Sequence, residues 1–381
     1  MAELDDYSGP FKPDLTYEDL SKDFLIKLMR SYQWTWMQTD AAWFDQIKLR
    51  FGAQAAWDLD LQGWLRPARR ANPRYAKIAN IPLKNVVDCL KVLQLPMDNT
   101  MGGIYPVEYD VKNENHAIVT VNRCPNLEWC EKQEPERIVP MCQIGEPIII
   151  DNYKVNPNVQ LRALKLPPRK SPEDIACQWE YKLEVPQGVR VRSKDEVVDG
   201  TTDIPELNDL SGPFYLNLTY VNLSKAFLIK LVRAWQHALL MMNEGFYDGV
   251  KQRFGSEIAV ECELEAWVRV AERVSRRYVK LANIQLRTVL DSLKALQLPL
   301  DNTMGLFPAE YSIKSPNHVI LTVTQFRTQA LFEEPIRPRG HVLVKPLMEK
   351  CLVNPNIRVT PLKLPPCRSP ETILCQWELR L

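Results

Sequence analysis

The sequence predicts an α+β protein made of two tandem copies of one unit, each an N-terminal helical layer packed on a small antiparallel sheet, with the copies related by a pseudo-twofold. Three observations predict this. The decapeptide LQLPMDNTMG, ending at Gly102, returns as LQLPLDNTMG, ending at Gly305. Sliding the chain by 203 residues aligns Ser8–Gly102 with Ser211–Gly305 without a gap, and with small shifts the match runs on to CQWEYKL against CQWELRL. Within each copy the apolar pattern is helical before the decapeptide and strictly alternating after it. Repeats this long are domains with their own cores rather than solenoid turns. The reading assigns residues 8–184 to the first unit, the polar Gly- and Pro-dotted stretch 185–210 to a linker, and 211–381 to the second unit.

The elements follow in order. Leu20, Phe24, Leu25 and Leu28 recur at helical spacing, with Thr16 or Asp19 as the cap. AAWFDQIKLRFG sets Phe44, Ile47 and Phe51 on one face and stops at Gly52. Further helices are expected over 53–70 and 83–95, the second ended by Pro96, with a turn at Asp98-Asn99. The decapeptide is thus a helix exit into the sheet half. YPVEYDV and NHAIVTV read as a hairpin joined near KNEN, NVQLRAL as a further strand. In CQWEYKL, Cys177, Trp179, Tyr181 and Leu183 face one way, as in a half-buried antiparallel strand.

Composition narrows the function classes. Lys plus Arg number 48 and Asp plus Glu 47, so charge favours neither a nucleic acid nor an anionic membrane. The acidic start MAELDDYSGPFKPD has no apolar core of a secretory signal, and no apolar run is long enough for a transmembrane helix. Nine irregularly spaced cysteines read as reduced thiols of a cytoplasmic protein. Nucleotide-binding, zinc-protease and serine-hydrolase signatures are absent, and no motif calls for a cofactor.

The candidate residues lie mostly in the first unit. His116 and His318 are the only histidines at matched positions; His237 and His341 are not matched. A histidine is the usual general base near neutrality, while a place beside a turn is also ordinary for a surface histidine. Glu108 and Tyr109 match Glu310 and Tyr311 one strand over. Cys177 matches Cys375, and the thiol shares the face of Trp179, which favours a small buried hydrophobe over a nucleophile. Cys124, Cys130 and Cys142 face Phe326, Phe332 and Gly340 in the second unit. Their spacing departs from zinc knuckles, so no metal is expected, and they are the one set a metal would use. Seven of the ten tryptophans lie in the first unit, and Trp34, Trp36 and Trp43 spread around a helix, so some must meet another surface: a ligand, the other unit or a second chain.

At WFDQIKLRFG, VNPNVQLRALKLPP and CQWEY the unit resembles a family of uncharacterised bacterial cytosolic proteins, similar in turn to the L-2-amino-thiazoline-4-carboxylate hydrolases. The resemblance implies a soluble prokaryotic protein, commonly of anaerobes, in a family where opening of a small heterocyclic acid is one activity. Cys142 and Cys177 fit the family pattern, whereas Ala163 and Leu166 stand where such members carry further cysteines, and Cys367 follows Pro365-Pro366 instead of preceding it. Two functional readings result. One is a small-molecule-binding or hydrolase-like protein for a small organic acid. Its site lies in the first unit, with Cys142, His116 and Cys177 as catalytic residues and Trp36, Trp43, Glu108, Tyr109 and Trp179 as ligand contacts. The other is a non-catalytic assembly subunit, a fused pseudo-dimer that meets itself or a protein partner through Trp34–Trp43.

Overall fold

In a computed structural model the chain is described over residues 3–98, 101, 103–184, 197–198, 204–300, 304, 309–324, 345–364 and 375–381. Asn99, Phe326, Phe332, Gly340, His341, Cys367 and most of 185–203 lie outside the described residues. The protein is α+β, with one four-stranded antiparallel sheet in each half.

In the first repeat α1 (Lys22–Phe51) is followed by α2 (Ala53–Arg70), α3 (Asn72–Ile78) and α4 (Val86–Leu93). β1 (Val107–Asn113) and β2 (His116–Val121) form the hairpin expected at KNEN. Then come α5 (Pro125–Gln133), a π-helical turn over Val139–Gly145, α6 (Glu146–Tyr153), β3 (Val159–Lys165) and β4 (Cys177–Leu183). The sheet order is β1-β2-β4-β3. Two-residue strands β5 (Val197–Val198) and β6 (Phe214–Tyr215) pair in parallel. The second repeat has α7 (Lys225–Phe254), α8 (Ser256–Leu281), α9 (Val289–Gln297), β7 (Ala309–Ser315), β8 (His318–Val323), α10 (Lys345–Leu352), β9 (Arg358–Lys363) and β10 (Cys375–Arg380), in the sheet order β7-β8-β10-β9.

Local chemistry accounts for the boundaries. α1 is one 30-residue helix where the apolar pattern marks two pieces. Its cap is Ser21, whose hydroxyl accepts from the Phe24 N–H at 3.3 Å, not Thr16 or Asp19, which close a capping box on the preceding 3-10 turn. It ends at Gly52, whose φ of 85° is open to glycine and strained for other residues. Pro73 at the head of α3 separates α2 from α3. The second repeat has Val270 and Arg276 where the first has Pro67 and Pro73, and there α8 runs unbroken.

The compact units cut the chain elsewhere than the sequence repeat does. One comprises residues 1–56 with 246–381, the other residues 57–245, so α1 belongs with the second repeat's sheet and most of α7 with the first's. In the unit of 1–56 and 246–381, α1 packs along α8: Thr35 and Tyr278 hydroxyls lie 2.7 Å apart, and Arg50 bridges Glu261 and Glu265 at 2.8 Å each. The arm before α1 docks on α9. The Tyr7 N–H donates to the Ala282 carbonyl at 2.9 Å, Lys294 donates to the Gly9 carbonyl at 2.6 Å, and Gln297 to the Lys12 carbonyl at 2.8 Å. Phe11 meets the Tyr311 ring edge-on at 5.0 Å.

The unit of 57–245 repeats these contacts with the roles exchanged. The Leu210 N–H donates to the Ala79 carbonyl at 2.9 Å, Lys91 to the Gly212 carbonyl at 2.5 Å, and Gln94 to the Tyr215 carbonyl at 2.8 Å. Phe214 meets Tyr109 edge-on at 5.2 Å. This unit's core sets Val86, Val87 and Leu90 of α4 and Ile149 and Tyr153 of α6 against Val111, Val119, Trp179 and Tyr181 of the sheet.

α7 crosses α2 at close range. A Cβ on Gly245 would sit 2.7 Å from the Gln62 carbonyl oxygen and 3.0 Å from the Gly63 Cα. The equivalent positions in α1 and α8 are Ala42 and Ala266, both buried, so that pair of helices has methyl groups where α7 and α2 have none. Gly245→Ala should therefore force the crossing apart and cost about 1–3 kcal/mol, the usual range for overpacking a rigid contact. Chemical denaturation of the variant checks this.

Candidate functional site

The structure sorts the candidate residues by face and by unit. In the β2–β4 pair, His116 lies opposite Lys182 and Val121 opposite Cys177. Side chains alternate along a strand, so His116, Gln178 and Glu180 share the outer face, and Cys177, Trp179 and Tyr181 the core face. His116 and Cys177 thus stand on opposite faces and at opposite ends of the pair. His116 Nε2 lies 3.0 Å from a Glu180 oxygen, and Arg162 donates to the other oxygen at 2.9 Å. Burial pushes the Glu180 carboxyl up, but His116 and Arg162 outweigh it and hold the group below its usual range. Gln178 donates to Thr120 at 2.9 Å, and the Trp179 indole N–H points at the Cys177 sulfur at 3.2 Å. The second repeat has all three contacts: His318 with Glu378 at 3.1 Å, Gln376 with Thr322 at 3.0 Å, and Trp377 with Cys375 at 3.3 Å. The recurring CQWE string is therefore a set of cross-strand and core contacts.

The aromatic candidates are packing groups. Trp179 belongs to the core between helices and sheet, and Tyr109 packs on Phe214. Glu108 is exposed on β1 opposite Thr120. Trp36 and Trp43 are buried in the unit of 1–56 and 246–381, whereas Cys142, Cys177 and His116 belong to the unit of 57–245, and Trp43 stacks on Phe246 at 5.5 Å. Trp34 is exposed with the Arg277 guanidinium over its ring.

A different cluster emerges within residues 57–245. Asp60 comes from α2, Asp98 from the helix exit after α4, Cys124 and Cys130 from the cap and body of α5, Cys142 from the π-helical turn, and Glu146 and Tyr153 from the two ends of α6. Cys130, Cys142, Leu127, Ile138 and Ala176 form a small apolar core with Cys124 packed on it. Burial, then the charge of Glu146, drives the Cys142 thiol far above its usual range. Burial likewise pushes Cys124 and Cys177 up to about 12 and Cys130 to about 11. All four are neutral thiols at physiological pH, the opposite of an activated nucleophile. Among the described residues no three His, Cys, Asp or Glu side chains are grouped so as to hold a metal ion, and that includes Cys124, Cys130 and Cys142.

The carboxyls carry the perturbation. Burial, with Asp98 and Asp60 nearby, pushes Glu146 up to about 7. Among the described residues it has no hydrogen bond or ion pair. Asp98 is pushed up to about 6 by burial; one oxygen accepts from the Tyr153 hydroxyl at 3.1 Å, and the other is buried without a partner. Asp60 has the same division, with Arg137 donating to one oxygen at 3.2 Å and the other oxygen unpartnered. A carboxyl oxygen shielded from water without a partner costs stability, which makes it a marker of a site. π-helical turns such as the one holding Cys142 also concentrate at sites.

Residue-by-residue reading of the sequence passes over Glu146, Asp60 and Tyr153, because none stands in a motif. The available signal is the duplication. Aligned on VNPN, the first repeat's Glu146, Cys142 and Tyr153 face Val344, Gly340 and Cys351.

Residues 18–183, one copy of the repeat, match a family of unknown function (DUF6125). No curated protein and no solved structure matches the chain. Among the described residues no helix is long and apolar enough to cross a membrane.

Two outcomes check this account. Cys375 is fully buried and accepts from Trp377, so Cys375→Ser should lower stability by about 1–3 kcal/mol, the cost of a poorly paired buried hydroxyl. Glu146 holds its proton to higher pH when folded than its ordinary 4.5, so its burden on stability grows as pH rises from about 4.5 and is complete above about 7. Glu146→Gln should match the parent protein near pH 4.5 and exceed it by about 1–3 kcal/mol at pH 8. Thermal melts across pH test the crossover.

Proposed function

We propose that residues 57–245 hold a small-molecule site of hydrolase type in which Glu146 is the acid–base group. The observation that carries the reading is Glu146 itself: half-buried, without a partner among the described residues, and pushed up to about 7 by burial and its acidic neighbours beside a π-helical turn. A general acid–base works best when its pKa lies near the operating pH. The thiols of Cys142, Cys177, Cys124 and Cys130, being neutral, line the site as polarisable walls.

The resemblance to the thiazoline carboxylate hydrolases supports ring opening of a small heterocyclic acid in a prokaryotic cytoplasm as the specific activity. A 2-amino heterocycle suits the cluster, because its basic ring end donates to Glu146 while its own carboxylate stays clear of Asp60 and Asp98. Hydrolysis then needs only proton transfer. Glu146 takes a proton from water as the new C–O bond forms at the ring carbon, and returns it to the ring heteroatom as the carbon–heteroatom bond breaks. The site belongs to the first repeat, since the second has no carboxyl at the position of Glu146. A second reading, an assembly subunit, is favoured by Trp129, Val139, Ile144 and Ile148, large apolar side chains exposed between the start of α5 and the end of α6.

Incubation with 2-amino-thiazoline-4-carboxylate, followed by loss of the ring's ultraviolet absorbance, tests the first reading. The parent protein should turn the compound over, and Glu146→Gln should be slower by about 100-fold or more. Equal turnover by the variant, or neither turnover nor calorimetric binding by the parent protein, would sink it.

A further inference from the structure

The contacts that carry one repeat's arm and first helix to the other repeat occur twice. Asn283 donates to Asp6 at 2.8 Å, and Asn80 donates to Asp209 at 2.8 Å. Tyr32 donates to the Leu298 carbonyl at 2.8 Å, and at the equivalent place the Trp235 indole N–H donates to the Leu95 carbonyl at 2.8 Å. Where first helices meet, equivalent positions meet each other: Trp43 stacks on Phe246, and Phe51 on Phe254 at 3.7 Å with the rings nearly parallel. Self-pairing of this kind is the signature of a dyad in a homodimer, where a residue on the axis touches its own copy. The family match covers one repeat, 18–183, which is not a compact unit of this chain.

We propose that the surface formed by α4 or α9 and its sheet is an intermolecular docking site by construction, whose occupant is the arm and first helix of another repeat. A chain carrying one such repeat would assemble with a second copy by exchanging those segments, and the present protein is that pair made continuous. Each compact unit then contains pieces of both repeats. Separating the repeats would mean opening both units, whether or not the chain between them is intact.

The test uses the full chain with a protease site inserted between Arg192 and Ser193 and cleaved after purification. The two pieces should co-elute at the mass of the intact 44.1 kDa chain, with no change on tenfold dilution. Separation under native conditions would overturn the proposal. A short bis-maleimide supplies the second measurement on the cleaved protein. Asp6→Cys with Asn283→Cys should give a product joining both pieces, and so should Asp209→Cys with Asn80→Cys, which keeps the test available if one pair misfolds. Cross-linking of Asp6→Cys to Asn80→Cys within one piece, in place of these products, would show each arm on its own repeat and refute the exchange.

Discussion

Everything in this protein leans on two buried lysines. Lys91 and Lys294 are almost wholly shielded from water, each within reach of the aspartate one turn earlier in its helix, and each spends its ammonium on a glycine carbonyl of the other repeat's arm. A buried ammonium is costly unless its donors are used, so the arm is needed by the helix it covers as much as the helix is needed by the arm. The phenylalanine two residues after each glycine seals the contact against a tyrosine of the sheet. The short string SGPF is therefore a docking plug. Its register dictates where α1 and α7 run and which sheet each helix completes.

Duplication makes the two copies each other's control. Contacts found in both, such as histidine with glutamate, glutamine with threonine, and tryptophan with a cysteine sulfur, belong to the architecture. Features found in one copy are free of that duty. Glu146, the extra thiols and Tyr153 are of the second kind, and they gather in one stretch between β2 and the end of α6. A carboxyl held partly protonated at neutrality by burial and by its acidic neighbours is a poor building material and a good proton relay.

Much of the fold was legible because it rests on local rules. The helix over 53–70, the stop at Gly52, the hairpin at KNEN and the alternation of CQWEYKL each depend on a few neighbouring residues. The assignment of α1 to the far sheet was not legible. Its apolar face suits either sheet, and the choice is made by Lys294 and Gln297, hundreds of residues away. The residues singled out in the sequence are dispersed for a related reason. Histidine and cysteine draw attention as reagents, yet the face a side chain takes is settled by strand register, which set His116 and Cys177 back to back. Glu146 looked ordinary because its weakened acidity is conferred by burial, with Asp98 and Asp60 nearby, and both arise only on folding.

The split ancestry of one compact unit also has a bearing on the order of events during synthesis. Residues 57–245 are contiguous and can close as soon as they leave the ribosome. Residues 1–56 emerge first, yet their partners begin at Phe246. At common translation speeds that wait lasts tens of seconds or so, with Trp43, Phe44 and Ile47 of α1 lacking the surface that buries them. Long-range closure of this sort slows folding and exposes the nascent chain to aggregation. A gene that doubled itself thus gained a partner always at hand, and in return α1 must be kept from other company until the residues from Phe246 onward have been made.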